Sequence, residues 1–294
     1  MLIDAHHHVW DRARHPMPWI DPVSMARIDA DFTVDDMPLA ACGVDGTVVV
    51  QARSHPDETA DLLALAADDP RVRGVVGWVD LRGDDVGAVL DALRAGPGGA
   101  ALVGVRATLQ DDDADAPDDP RVHAGVRAVA ARGLTVDLLV RTHQLASSAR
   151  TAHALPHVPF VLDHLAKPDL RPGGDLDAWR RGLRALAAAP NVVAKLSGLV
   201  TEATWDTWTV DDLRPAADVA LDAFGPERLM WGSDWPVCTL ASGYARWLDA
   251  ARELTADLSA AQRAAVEHGT AVAAYGLALT PTARRGTPTH EERS

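Results

Sequence analysis

Three consecutive histidines near the start of the chain carry the strongest chemical signal. His6, His7 and His8 lie in an apolar segment. Because side chains alternate faces along a strand, His6 and His8 point to one side and His7 to the other. Two imidazoles on one face can hold a divalent metal ion through neutral nitrogens. The spacing therefore predicts a metal-binding or catalytic site. One alternative is that the histidines are structural. The other is a remnant of a purification tag, which the core-like neighbouring residues disfavour.

Composition excludes several classes of partner. The 294 residues, 47% hydrophobic and 24% charged, suit one large α/β barrel or two ordinary domains. A formal net charge of -14 disfavours nucleic-acid and anionic-membrane partners, since the general attraction to phosphate is missing. Cys42 and Cys238 form neither a disulfide framework nor a cysteine metal site. With no signal peptide or membrane-spanning run found, we expect a cytoplasmic protein.

Short β-branched runs alternate with segments of helical periodicity. This alternation predicts right-handed βαβ units and a parallel sheet, and eight repeats predict a single-domain (β/α)8 TIM barrel over residues 1–280. An open doubly wound sheet is the competitor, but no glycine-rich phosphate loop follows any run. We expect loop 11–35 to cover the barrel mouth, Asp-rich loop 110–120 to be solvated rather than a calcium site, and tail 281–294 to be disordered. The runs are residues 2–8, 44–51, 74–80, 102–108, 134–140, 160–164, 192–196 and 229–234.

In such a barrel the reacting groups gather at the C-terminal ends of the strands. Asp234 ends the eighth run, so barrel closure brings it beside His6 and His8. There it could ligate a metal or take a proton from water; the alternative is a carboxylate that caps the turn before Pro236. The other polar strand ends are Gln51, Arg106, Asp163, His164, Lys195 and Ser197.

The remaining candidates are assigned by side-chain chemistry. His164 could ligate metal, hold the attacking water or bind a substrate oxygen. Arg106 and Lys195 could hold a carbonyl and stabilise developing negative charge, or form structural salt bridges. The expected substrate contacts, for which packing roles are the alternative, are Trp10, Trp19 and Trp235 as walls, and Gln51 and Tyr244 as hydrogen-bond partners of hydroxyls.

An ordered series of segments resembles the amidohydrolase superfamily (amidohydrolase 2 type), in particular the sugar-acid lactonase group typified by L-fuconolactonase and L-rhamnonolactonase. The resemblance implies a (β/α)8 barrel, hydrolysis of a lactone to an aldonic acid and at most one divalent metal. It places the first-strand pair on His6 and His8, the sixth-strand histidine on His164 and the catalytic aspartate on Asp234. The segments are IDAHHHVW (3–10), PWI (18–20), VVGWVDL (75–81), GVRATLQ (104–110), VDLLVR (136–141), FVLDHLAKP (160–168), NVVAKLSGLVTEA (191–203) and RLMWGSDWPV (228–237).

Departures from the family pattern refine these expectations. Arg106 and Asp137 stand in the regions where binuclear members carry a carboxylated lysine and a histidine, which argues against two metals. The expected cofactor is one divalent ion, Zn²⁺ first, held by His6, His8 and Asp234. Related lactonases vary in their dependence on metal, so a weakly bound or dispensable ion is compatible with the resemblance. His7 replaces an expected glutamine. Ala107 replaces an expected histidine, which bears on the substrate rather than the reaction.

The function expected from the sequence is therefore hydrolysis of a sugar-acid lactone by water that Asp234 activates. The partner is a small-molecule lactone, and a homo-oligomer is compatible with the sequence. Two alternatives stay open. One is a decarboxylase of the same superfamily acting on an unsaturated or aromatic acid, and the other is an inactive barrel retained for binding.

Overall fold

The computed structural model describes residues 1–278, and its central feature is a ring of eight parallel strands. Each strand pairs with the next along the chain, and an isolated parallel bridge from His7 to Trp235 joins the ends of the ring. The predicted single-domain (β/α)8 barrel is confirmed. The strands are β1 (Ile3–His7), β2 (Gly46–Val50), β3 (Val72–Gly77), β4 (Leu102–Thr108), β5 (Thr135–Leu139), β6 (Phe160–Leu162), β7 (Val192–Leu196) and β8 (Leu229–Trp231).

Residues typical of helix ends mark where the helices around the barrel begin and end. The second has Pro56 at its first position and two acidic residues in its first turn, where the helix dipole favours them. The first ends at Gly43, whose φ of 71° suits glycine. The helices are α1 (Leu39–Cys42), α2 (Pro56–Asp68), α3 (Val86–Ala95), α4 (Pro120–Ala130), α5 (Leu145–Ala154), α6 (Asp177–Ala187), α7 (Leu199–Glu202), α8 (Val210–Phe224), α9 (Tyr244–Leu254), α10 (Ala260–Ala264) and α11 (Thr270–Tyr275). None of the helices in residues 1–278 is long and apolar enough to cross a membrane.

Three apolar clusters hold these elements together. The largest packs the helices onto the strands, and a smaller one joins strand residues such as Val48 and Met230 to Tyr275 of α11. A third cluster, which includes Trp10, Ile28 and Leu240, ties loop 11–35 to the segment after β8. The loop is therefore anchored at the barrel mouth by its own apolar side chains.

The structure shortens two of the predicted strands. β6 ends at Leu162 and β8 at Trp231, whereas the sequence pattern extended them to His164 and Asp234. The physical reason is the backbone: φ is 51° at His164 and 56° at Asp234, outside the extended region. The predicted tail 281–294, like residues 279 and 280, lies outside the described residues.

Candidate active site

Four buried side chains meet at the C-terminal end of the barrel, and we call them the floor cluster: His6, His8, His164 and Asp234. Asp234 Oδ1 lies 3.4 Å from His8 Nε2, 3.7 Å from His6 Nε2 and 3.8 Å from His164 Nε2. The two first-strand rings also meet each other, with their Nε2 atoms 3.2 Å apart. The structure thus brings together the residues that the sequence placed on strands one, six and eight.

Backbone hydrogen bonds between the first and last strand segments fix this geometry. The Asp234 amide donates to the His6 carbonyl at 2.8 Å, and the His8 amide donates to the Trp235 carbonyl at 2.7 Å. His7 points away from the cluster, as expected, and its Nε2 lies 3.0 Å from Thr47 Oγ1. Burial lowers the pKa of His7 to about 3, so this ring is neutral.

The segment after β6 takes an unusual backbone path. His164, Leu165, Ala166 and Lys167 all have φ between 49° and 59°, a left-handed turn that costs roughly 1–2 kcal/mol per non-glycine residue. Trp179 Nε1 holds the turn by donating to the Leu165 carbonyl at 2.6 Å. Strain of this kind concentrates at functional sites, and here it sends both His164 and Lys167 into the cavity.

Burial and neighbouring charges shift the pKa values of the floor-cluster side chains. Burial lowers the pKa of His164 to about 4, and burial together with the Lys195 charge lowers the pKa of His6 well below its usual value. Burial alone would raise the pKa of Asp234, but the surrounding histidines outweigh it and hold that pKa below the ordinary range. Asp234 is therefore a carboxylate at neutral pH, beside the neutral imidazoles of His6 and His164.

Beneath the floor cluster lies a second set of groups, which we call the charge layer: Lys195, Asp137, Asp163 and Tyr275. The Lys195 ammonium is 2.6 Å from Asp137 Oδ2 and 3.0 Å from Asp163 Oδ1. Tyr275 donates its hydroxyl to Asp137 Oδ2 at 2.7 Å. Although burial alone would raise the pKa of Asp163, Lys195 holds it well below the usual value.

Arg106 links the charge layer to the cavity. Its Nη1 lies 3.4 Å from Asp163 Oδ2, and its Nη2 donates to the Gln51 carbonyl. The side chain also lines the cavity above the floor cluster. Arg106 is thus the cation best placed to face a bound substrate while being held from below.

The cavity has a volume of about 510 Å³, within the range of small-molecule sites. Of the predicted substrate contacts, Trp19 lines it and is 38% exposed. Sequence reasoning missed several lining residues that lie at the end of β4 or in the loops after β2, β4 and β6. The available signal was their position at or directly after strand ends. The additional polar lining residues are Arg53, Ser54, His55, Thr108, Gln110, Asp111 and Lys167.

Among residues 1–278, five other predicted contacts are not among the residues that line this cavity. Lys195 is held down by its two carboxylate partners, and Tyr244 donates to buried Asp4 Oδ2 at 2.9 Å. Trp235 packs edge-on against Phe32. The remaining two lie one layer back: Trp10 donates to the Ala30 carbonyl and meets Trp19 edge-on, and Gln51 Nε2 donates to Thr108 Oγ1.

The donor chemistry of the floor cluster suits one zinc-type ion. Ligand atoms of His6, His164 and Asp234 lie within 4.8 Å of one another, and His8 Nε2 adjoins two of them. Buried neutral imidazoles with one carboxylate are ligands that Zn²⁺ accepts. The sequence prediction named His6, His8 and Asp234; the geometry adds His164. Arg106 of β4 pairs with Asp163, and Asp137 of β5 accepts a hydrogen bond from Lys195. Both side chains therefore already have partners at the positions where a second metal would need ligands.

Comparison with known proteins assigns the chain to a class. A family model described as amidohydrolase matches residues 3–277, so the chain belongs to the amidohydrolase family. The L-fucono-1,5-lactonase of Burkholderia multivorans is 42% identical over an alignment covering 97% of this chain and 99% of that protein. The L-fucono-1,5-lactonase of Burkholderia ambifaria is 40% identical and covers 84% of this chain and 85% of its own length. A crystal structure of a Burkholderia multivorans amidohydrolase with bound zinc has a TM-score of 0.88 at 39% identity, covering 95% of this chain and 100% of that one.

Proposed function

We propose that this protein hydrolyses the lactone of a sugar acid to the corresponding aldonic acid. The observation that carries the proposal is the ionised Asp234 carboxylate at the floor of the cavity, with three histidine Nε2 atoms within 3.8 Å. Similarity to two L-fucono-1,5-lactonases supports the reaction class. It also makes L-fucono-1,5-lactone the first substrate to test, with other aldonolactones as the wider class.

In the proposed reaction Asp234 takes a proton from water, and the hydroxide attacks the lactone carbonyl carbon. The carbonyl π electrons move onto oxygen, and the resulting oxyanion is stabilised by Arg106 and by histidine N–H groups of the floor cluster. Collapse breaks the bond between the carbonyl carbon and the ring oxygen. Asp234 then returns its proton to that oxygen, giving a hydroxyl group and a carboxylic acid, so that one water is consumed per ring opened.

The same cluster would hold one divalent ion, with Zn²⁺ as the first candidate. His6, His8, His164 and Asp234 supply the donors, and a bound ion would polarise the carbonyl as a Lewis acid and lower the pKa of a bound water. The zinc-bound amidohydrolase of similar fold supports this choice of ion. The chain's own groups already provide a base and a cation, so we propose that the metal assists the reaction rather than defines it.

Arg106 and Lys167 are the cationic groups that line the cavity around the floor cluster, together with Arg53. Lys167 Nζ donates to Gln110 Oε1 at 2.6 Å, which fixes both side chains in the cavity wall. Ammonium, guanidinium and amide groups in this arrangement suit the hydroxyl-rich ring of a sugar lactone. We therefore assign hydroxyl recognition to Lys167 and Gln110, in place of the buried Lys195 and Tyr244.

A proton-release assay across five- and six-membered aldonolactones tests the proposal, run on purified protein and again after chelation, with metal analysis of the same samples. We expect turnover with at least one lactone, and a fall of about 10²–10⁴-fold in kcat for Asp234→Asn. The exposed Asp113→Asn is the matched control and should retain wild-type rates.

Three results would contradict the proposal. Near-normal lactonase activity in Asp234→Asn would overturn the role of the base. Carbon dioxide release from an aromatic or unsaturated acid without lactone turnover would instead favour the decarboxylase alternative. Sugar-acid binding without turnover across the whole panel would favour a barrel retained for binding.

A further inference from the structure

Arg53 is a cavity side chain whose hydrogen-bonding capacity is only partly used. It lies in the loop after β2 and lines the cavity. Its Nη2 donates to His15 Nδ1 at 3.1 Å, whereas its Nε is buried and has no hydrogen-bond partner within residues 1–278. A buried N–H without a partner is costly, so a ligand oxygen that accepts from it gains affinity. Arg53 therefore retains a donor for a bound molecule.

Helix α2 holds Arg53 in place at its backbone and at its guanidinium group. The Glu58 carboxylate accepts hydrogen bonds from the amides of Ala52 and Arg53, at 2.9 and 3.0 Å. Asp61 Oδ2 lies 2.8 Å from His15 Nε2, so the ring that accepts from Arg53 is itself tied to the helix. Glu58 and Asp61 are three positions apart on α2, which places them on one side of it. One helix face thus supports both ends of the arginine.

The loop that carries Arg53 approaches the cavity from the side opposite to Lys167. In the closed ring of eight strands, β2 and β6 lie opposite each other, so the loops that follow them form opposite walls of the cavity. Asp234 and Arg106, which are proposed to act at the carbonyl, lie at or close to strand ends beneath these loops. Arg53 is therefore placed to contact a substituent of the substrate ring rather than its reacting carbonyl.

We propose that Arg53 is a specificity-determining residue that donates a hydrogen bond to a ring hydroxyl of the sugar lactone, and that His15 is the residue that positions it. This inference rests on the proposed lactone hydrolysis and names the group that selects hydroxylated lactones over unsubstituted ones. A guanidinium has only N–H donors, so it needs an acceptor oxygen, which a ring hydroxyl supplies and a ring methylene does not. A contact remote from the carbonyl is equally strong in the ground state and the transition state, so its loss should raise KM and leave kcat unchanged.

Steady-state kinetics with two lactones separate recognition from chemistry. For Arg53→Met we expect kcat/KM for L-fucono-1,5-lactone to fall about 10–100-fold, through KM, whereas kcat/KM for unsubstituted δ-valerolactone should change less than about twofold. Arg180→Met is the matched control, because Arg180 pairs with Asp177 on the surface of α6. Equal falls with both lactones, or an unchanged KM for the hydroxylated one, would overturn the role of Arg53.

Two substitutions of His15 test how Arg53 is positioned. His15→Leu removes the acceptor and should raise KM for the hydroxylated lactone about threefold to tenfold at constant kcat. His15→Gln offers an oxygen to Arg53 and an N–H to Asp61, and should recover most of that loss. Circular dichroism verifies that each variant is folded. If both variants behave alike, packing rather than the hydrogen bonds is responsible and the positioning role is wrong.

Binding of L-fucono-1,5-lactam, in which an N–H replaces the ring oxygen, measures the same contact without turnover. Calorimetry should give a Kd about 10–100-fold higher for Arg53→Met than for the wild type. Lactone turnover with no dependence on Arg53 in either assay overturns this inference alone. Lactam binding that depends on Arg53, in a protein that turns over no lactone, contradicts the proposed function and supports the role of Arg53 as a hydroxyl ligand. Absence of both binding and turnover contradicts both.

Discussion

The floor cluster and the charge layer contain similar groups at neighbouring depths of one barrel, yet they are built differently. In the charge layer, Lys195 lies 2.6 and 3.0 Å from its two carboxylate partners, and all three side chains are fully buried. In the floor cluster, Asp234 stands 3.4–3.8 Å from its histidines and faces the cavity. Tight pairing satisfies buried charge for stability, whereas loose pairing beside a cavity leaves donors and acceptors for a ligand.

The largest effect should come from removing the cation of the charge layer. Lys195→Met leaves two buried carboxylates short of a partner, and we expect the free energy of unfolding to fall by about 3–5 kcal/mol. Urea unfolding followed by circular dichroism gives the value. Asp234→Asn is the comparison and should change the free energy of unfolding by less than about 1 kcal/mol. Equal losses in the two variants would erase the distinction between the layers.

Arg106 belongs to both regions, so its truncation should reduce activity strongly. Arg106→Ala removes a cation positioned beside the cavity, and we expect kcat/KM to fall by about 10²-fold. Steady-state lactone hydrolysis measures it. Arg82→Ala serves as the control, because Arg82 pairs with surface Asp112 and Asp119. A similar fall in both variants would attribute the effect to general destabilisation.

Ser197, which contacts the floor cluster through His164, should have a smaller effect on activity than Arg106. Its Oγ lies 2.8 Å from His164 Nδ1, so Ser197→Ala leaves a buried ring nitrogen without that partner. We expect kcat to fall about tenfold with little change in KM, since the ring is less firmly oriented. Ser197→Thr keeps the hydroxyl and should recover most of the rate. If Ser197→Thr were as slow as Ser197→Ala, packing rather than the hydrogen bond would be responsible.

Changing the pH within the neutral range should have the smallest effect on kcat/KM. In the proposed mechanism the active form has an ionised Asp234 and a neutral His164. The pKa of Asp234 is held below its ordinary range, and the pKa of His164 is lowered to about 4. As pH falls, His164 gains its proton first, so kcat/KM should decline only below about pH 5. Between about pH 5.5 and 8, a change of less than about twofold is expected. A decline centred near pH 6.5 would show that an unshifted histidine controls the rate.

The sequence predicts the barrel and the floor cluster well because both follow from local periodicity. Strand alternation places His6 and His8 on one face, and barrel closure brings Asp234 to them. The sequence pattern does not show how far below the cavity a side chain lies. The same reasoning predicted Lys195 at the cavity, but its long side chain is drawn below by Asp137 and Asp163. Tyr244, the first residue of α9, reaches Asp4 instead.

Backbone conformation explains the residues that sequence reasoning missed. Lys167 enters the cavity because four successive residues, His164 to Lys167, adopt left-handed φ values, a conformation that leucine, alanine and lysine rarely take. Tertiary contacts such as the hydrogen bond from Trp179 to Leu165 impose that path. Such contacts join distant parts of the chain, so periodicity over a short window cannot reveal them.

The seam that closes the barrel runs through the floor cluster itself. Asp234 and His8 join the two ends by backbone hydrogen bonds, and the Ser233 amide donates to Asp4 Oδ1 across 229 positions of sequence. During synthesis on the ribosome, Asp234, the proposed proton acceptor, therefore meets the three histidines only after nearly the entire barrel has emerged. Nascent chains that stop short of β8 lack Asp234 and therefore the complete floor cluster. The onset of the proposed lactone turnover would report when the last strand joins the first.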